Sequence, residues 1–255
     1  MSRRSAWLQA APLSAVFVVF FLVPLGLIAM VSFWQATDYE LIPAFSAQSY
    51  LDIVAGCGGG DGSCVTLSTY LSTLKFSLLT WAITALIGFA VAYFLAFHVR
   101  STLMQTVLFI LCTVPFWTSN VIRMISWIPL LGRNGLVNDV LQRGGAIEQP
   151  IEWLLFSDFS VVLAFVHLYT MFMIVPLART GILIGSIFVI TIVMGDFVTI
   201  GVMGGQQIAS VGKIIQVQTS YLQFPLAAAN AMILLAVVLM IIWGLTRLVD
   251  IRKEL

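Results

Sequence analysis

Charge is what this sequence has least of. Lys, Arg, Asp and Glu together make up 9% of its 255 residues, where an ordinary soluble domain carries about 25%. So few charges cannot cover a water-facing exterior, so the outside of this protein must face lipid. Cysteine and histidine are scarce too, at three and two. Catalytic constellations are missing: there is no Ser/His/Asp set in a recognisable context, no HExxH and no CxxC. The run Gly58-Gly59-Gly60 has no following lysine, so it is no phosphate-cradling loop. The sequence is therefore read as a non-enzyme that binds no metal and no cofactor itself. If a nucleotide drives it, another chain binds that nucleotide. A net charge of +1 leaves no electrostatic footprint for nucleic acid.

What the chain does have is apolar length. Sixty per cent of residues are hydrophobic and the mean hydropathy is +1.05. Six stretches read as membrane spans: Ala10–Phe33, Phe76–Phe97, Leu103–Ile122, Phe159–Ala178, Gly181–Met203 and Pro225–Thr246. Each is near the roughly 20 residues that cross about 30 Å of hydrocarbon. Lipid offers no hydrogen-bond partner, so each span must satisfy its own backbone as a helix. The expected fold class is therefore all-α integral membrane. The first stretch follows Arg3 and Arg4, as a signal peptide would. It is too long for one and no A-x-A site follows, so it reads as a retained helix.

Six crossings place both termini on one side. Arg3, Arg4, Arg100, Arg179, Arg247, Arg252 and Lys253 then fall on one face, against Arg133, Arg143 and Lys213 on the other. The excess of basic residues predicts cytoplasmic termini. The external loop after the first span carries Cys57 and Cys64 around six small residues. In an oxidising compartment these two could form a disulfide; free thiols in a loop are the other reading. They are not a metal site, because two sulfurs do not complete a coordination shell.

Polar residues inside apolar helices are the natural place to look for function. Pro115 predicts a bend in the third span. After it come Phe116, Trp117, Thr118, Ser119, Asn120 and Arg123, a mixture of aromatic, polar and charged residues at a helix end. Asp196, Phe197 and Thr199 lie towards the end of the fifth span. If both ends lie on one side, Arg123 and Asp196 can pair, either to close the bundle or to line a path. Lys75 is expected to snorkel to the interface, and His167 to be a neutral residue bonded to a neighbouring helix.

Several stretches resemble inner-membrane permeases of binding-protein-dependent ABC importers, in the branch that includes spermidine/putrescine permeases. They are Val114-Pro115-Phe116-Trp117-Thr118-Ser119 with Val121-Ile122-Arg123, then Leu131-Gly132-Arg133-Asn134-Gly135-Leu136-Val137-Asn138. Met171-Phe172-Met173-Ile174-Val175-Pro176-Leu177, Gly195-Asp196-Phe197-Val198-Thr199 and Gln223-Phe224-Pro225-Leu226-Ala227-Ala228-Ala229 follow in the same order. The resemblance implies a type I permease bundle of about six transmembrane helices in the bacterial inner membrane. It splits the chain into 1–66, a first helix with an external loop, and 67–250, the permease domain. It implies a second permease subunit, as homodimer or heterodimer, a cytoplasmic ATPase dimer holding ATP-Mg, and a periplasmic or extracellular solute-binding protein. The implied function is import of polyamines or a similar small solute. Phe116, Trp117, Asn120, Arg123, Asp196, Phe197 and Thr199 are the expected path or gate residues.

One departure stands out. The family carries a cytoplasmic Glu-Ala-Ala…Gly segment between the equivalents of the fourth and fifth spans, where it docks on the ATPase. Here only Ala178, Arg179 and Thr180 separate Leu177 from Gly181, where roughly 35 residues are expected by that resemblance. The alternative reading is thus a truncated or scaffold subunit that does not couple to an ATPase.

Overall fold

The computed structural model describes residues 11–37, 40–55, 65–174 and 179–248. Cys57, Cys64 and the junction at 175–178 lie outside them, and so does the expected disulfide. The chain divides into two compact units. One falls within Met1–Thr66 with Ile215–Ala236, the other within Leu67–Ile214 with Val237–Leu255.

In the first unit, helix α1 runs Ala11–Val31 and is apolar enough to cross a membrane. Pro24 does not break it. The proline has no N–H to give to the preceding turn, and Val18–Leu22 widens into a π-helical turn, with Val23 N–H reaching back to Val18 O. The helix ends in a small polar knot. Ser32 Oγ donates to Ala29 O at 2.7 Å and lies 2.8 Å from the Tyr50 hydroxyl. A short antiparallel pair, β1 (Gln35–Ala36) and β2 (Leu41–Ile42), leads to α2 (Gln48–Ala55), which carries Tyr50.

The second unit is built on α3, Val65–Phe97. Its 33 residues span about 50 Å at a 1.5 Å rise, well beyond a 30 Å hydrocarbon layer. The sequence reading began this span at Phe76; the helix begins eleven residues earlier. Thr69, Thr73, Ser77, Thr80 and Thr84 form one buried stripe along it. Hydropathy marks such residues as a poor span, but their hydroxyls turn back onto the helix's own carbonyls: Thr73 onto Thr69, Ser77 onto Thr73, Thr84 onto Thr80, at 2.7–2.9 Å. Lys75 in the polar first third is half exposed and forms an ion pair with Asp158.

Helix α4, Thr102–Thr113, is capped by Ser101, which accepts the Met104 N–H. Pro115 acts as expected. The helix tightens into a 3-10 turn at Val114–Trp117, and the chain then turns by 91° into α5 (Asn120–Ile125), α6 (Ile128–Leu131) and α7 (Leu136–Arg143). The third expected span, Leu103–Ile122, is thus a bent pair rather than a straight helix. Asn138 organises the loop that follows. Its Nδ2 lies 3.1–3.2 Å from the carbonyls of Gly132, Arg133 and Ile151, and its Oδ1 accepts the Ile151 N–H.

The fourth expected span appears as α8, Asp158–Tyr169, started by a capping box in which Ser157 and Ser160 satisfy each other's N–H. A short α9, Met171–Ile174, follows. The fifth appears as α10 (Arg179–Gly195), a two-residue break at Asp196-Phe197, and α11 (Val198–Met203). Asp196 causes the break: its side chain takes the N–H groups that would otherwise continue the helix. Helix α12 (Val211–Ser220) and the long apolar α13 (Phe224–Leu248) are the last of the described elements. Among the described residues, four helices are long and apolar enough to cross a membrane, five if the bent pair counts as one, and Gly181–Gly195 is a shorter apolar helix. The all-α membrane class stands, and irregular backbone at the breaks accounts for the difference from six continuous helices.

The core of this unit gathers Phe76, Met124, Phe165, Leu168, Val189, Val193, Ile200 and Met203. Helix α8 packs against α5 and α11, and α9 against α10. Glycine permits the closest approach of all: a Cβ on Gly88 of α3 would sit 2.5 Å from Met173 Cβ on α9.

Candidate functional site

Two helix breaks supply every residue expected at the site, and both belong to the second unit. The first break, between α4 and α5, is aromatic and open. Trp117 is 84% exposed and Phe116 51%. Thr118, Ser119 and Asn120 beside them are exposed as well. The second break, between α10 and α11, exposes Phe197 at 41% but buries Thr199 to 1%.

Arg123 stands apart from the expectation of an ion pair. It is 7% exposed. One guanidinium nitrogen, Nη2, donates to Asn120 Oδ1 one helical turn back, and the Arg123 carbonyl accepts the Ser126 hydroxyl at 2.6 Å. Its Nε has no hydrogen-bond partner. No ion pair joins Arg123 to Asp196 among the described residues, where the pairs are Lys75–Asp158, Arg133–Glu152 and Arg143–Asp139.

Asp196 is satisfied elsewhere. Oδ1 accepts the N–H groups of Val198 and Thr199, both at 2.9 Å. Oδ2 accepts the Thr199 hydroxyl at 2.6 Å and the Tyr169 hydroxyl at 2.7 Å. The α10–α11 break is therefore capped from within and tied to α8. On its other side Val211 N–H, at the start of α12, donates to Thr73 Oγ1 on α3 at 3.0 Å. Gly212 lies so near the break that a Cβ there would meet Gly195 O at 2.9 Å.

Aromatic rings join the two breaks. Phe165 and Tyr169 stack at 5.9 Å between centroids, Tyr169 meets Phe172 at 6.3 Å, and Phe172 stacks on Phe188 at 5.6 Å. Phe116 closes on the same Phe172 edge-on at 5.9 Å. Aromatic faces carry negative quadrupole charge and attract organic cations. The sequence reading missed Tyr169, Phe172 and Phe188. The i, i+4, i+7 spacing of Phe165, Tyr169 and Phe172 was the available signal, but aromatic residues on a membrane helix most often just pack. His167 behaves as expected: its Nδ1 accepts the Trp127 indole N–H at 3.0 Å, so the imidazole is neutral with its proton on Nε2. Among the described residues no cluster of three metal-ligating side chains exists.

No family model matches the chain. It is similar to the spermidine/putrescine transport system permease protein PotB of Escherichia coli (strain K12), 26% identical over 222 residues that take in 72% of this chain and 80% of the relative. PotB of Salmonella typhimurium (strain SL1344) is 26% identical over 217 residues, 71% of this chain and 75% of the relative. In fold it matches a chain of a bacterial alginate ABC transporter, solved in complex with an alginate pentasaccharide-bound periplasmic protein. That match has a TM-score of 0.61 at 13% identity, and covers 96% of this chain and 94% of the other. The alignment to PotB also measures a shortfall. As 72% of 255 residues is about 184, about 38 of the 222 aligned positions have no counterpart here. That is close in size to the segment the resemblance places between Leu177 and Gly181. The chain is thus similar in sequence to permeases of spermidine/putrescine transport systems and shares its fold with a chain of an ABC transporter.

Proposed function

We propose that this chain is a membrane subunit of an ATP-driven, binding-protein-dependent importer of polyamines or a similar small solute. The observation that carries the substrate class is the 26% identity to permeases named for spermidine and putrescine. The chemistry of the two breaks supports it. Phe116, Trp117, Asn120 and Phe197 offer exposed aromatic and amide groups suited to passing an alkylammonium chain, and would line the path. Arg123, Asp196 and Thr199 lie deeper and would form its gate. A second permease subunit would complete the pore. A cytoplasmic ATPase dimer would bind ATP-Mg and drive it, and an external binding protein would deliver the solute. The chain would sit in the cytoplasmic membrane with both termini inside.

ATP hydrolysis moves such a pore only if the ATPase interacts differently with its two states. With only Ala178-Arg179-Thr180 between the fourth and fifth apolar stretches, little chain is left there to carry that difference. The transporter reading is favoured over a transport-incompetent scaffold because the relatives it resembles in sequence are named as transport-system permeases.

Complementation tests the reading. The chain, and a chimera carrying PotB's extra residues between Leu177 and Gly181, are expressed in Escherichia coli lacking PotB. The expected result is uptake of labelled spermidine by at least the chimera, competed by putrescine. Uptake no greater than empty vector in both strains would overturn the proposal.

A further inference from the structure

Of the four hydrogen bonds that Asp196 accepts, three come from within two or three residues and one comes from another helix. Val198 N–H, Thr199 N–H and the Thr199 hydroxyl are local; the Tyr169 hydroxyl belongs to α8. An ionised carboxylate has about four acceptor positions, and here the chain fills them all. Nothing remains on Asp196 for a solute ammonium. Its partners are not free to leave either, since Tyr169 is 4% exposed and Thr199 1%.

We infer that Tyr169 and Asp196 form a pin, positioning residues that hold the α10–α11 break against α8, and that Asp196 is not a solute ligand. The geometry gives the pin a mechanical role. Two residues outside both helices, Asp196 and Phe197, join α10 to α11. On one side the break abuts the start of α12, where Gly212 admits the Gly195 carbonyl and Val211 is bonded to Thr73 of α3. On the other side the Tyr169 hydroxyl ties the break itself to α8, and Ser160 Oγ of α8 donates to Met203 O at the far end of α11. Phe197, between the pinned residue and the first turn of α11, keeps its ring partly exposed. Releasing the pin loosens the first turn of α11, while Ser160 Oγ still holds Met203 O at 2.9 Å at its far end, and so changes where Phe197 and Thr199 point without removing any group that touches solute. Tyr169 also belongs to the ring series that reaches Phe116 through Phe172, so the pin connects one break to the other.

The inference rests on the path reading for its functional arm, but it has a second arm that does not. Tyr169→Phe, Asp196→Asn and the double variant are purified in detergent and unfolded by heat. Shared action through one bond predicts that the double variant unfolds at the temperature of the worse single variant. Losses that simply add would overturn the pin whether or not the protein transports anything. In the complementation strain the same variants are compared for labelled spermidine uptake. A pin predicts a several-fold lower maximal rate for both single variants, with the half-saturating concentration held within about twofold. A tenfold or greater rise in that concentration for Asp196→Asn, with Tyr169→Phe unaffected, would make Asp196 a solute ligand and overturn the inference. If wild-type uptake itself fails, the function proposal falls and the unfolding result still decides the pin.

Discussion

Gly88 offers the cleanest test of the packing, because the same substitution elsewhere has the opposite expectation. In a helix interior, Gly→Ala is worth about 1 kcal/mol of helix propensity. At Gly26 of α1 an added Cβ meets nothing within 4 Å, so that gain should appear undiminished. At Gly88 the added carbon would stand 2.5 Å from Met173 Cβ, 2.8 Å from Met173 C and 2.9 Å from Met173 O. Two of those atoms are backbone and cannot swing away. Helices α3 and α9 must separate by about 1 Å to restore ordinary contact. Met173, 3% exposed, then loses packing on its inner face. Overpacking of this kind costs about 1–3 kcal/mol, so the net effect of Gly88→Ala is a loss of about 0–2 kcal/mol, and Gly88→Leu loses more. At 2–4 °C per kcal/mol for a chain of this size, Gly88→Ala should unfold up to about 8 °C lower and Gly26→Ala no lower than wild type. Thermal unfolding of detergent-purified protein, followed by intrinsic tryptophan fluorescence, reads both. If Gly88→Ala proves as stable as Gly26→Ala, the close approach of α3 to α9 is wrong.

Three further outcomes follow from single contacts. Asn138→Ala removes a buried hub that bonds Gly132, Arg133 and Ile151; leaving those groups unpaired costs about 1–3 kcal/mol. Amide hydrogen exchange should quicken at Ile151, which gives its N–H to that side chain, and unchanged exchange there would refute the role. Ser157→Ala removes half of the α8 capping box and should lower stability by about 1 kcal/mol, whereas Ser157→Asp should retain it; equal loss in both would show the cap to be unimportant. The Lys75–Asp158 pair is half exposed on both sides and is worth at most about 1 kcal/mol. Lys75→Met should therefore destabilise slightly at low salt and not at all at 1 M salt; a loss independent of salt would mean packing rather than charge.

Much of this protein is legible in its sequence. Scarce charge and long apolar runs require a lipid-facing all-α chain, because backbone groups in hydrocarbon have no partners but their own helix. Pro115 announced the break after α4, since a proline removes a helix hydrogen bond wherever it stands. The neutral, helix-bonded state of His167 was also expected from its place on an apolar helix, where an unpaired charge is costly.

What the sequence could not decide is which polar groups meet. Arg123 and Asp196 looked like partners because opposite charges near one end of a bundle attract. In the folded chain Asp196 is taken by its own α11 N–H groups and by Tyr169, which lies 27 residues away in sequence, and Arg123 turns to Asn120 on its own helix. Local hydrogen bonds at a helix break form at little entropic cost and leave the carboxylate no open acceptor position for a guanidinium on another helix. The early start of α3 was hidden for a related reason: hydroxyls that read as polar in the sequence are satisfied by carbonyls one turn back. Composition and periodicity fix the solvent that a helix can live in. Only three-dimensional packing assigns each buried donor its acceptor, because that choice depends on which helices touch.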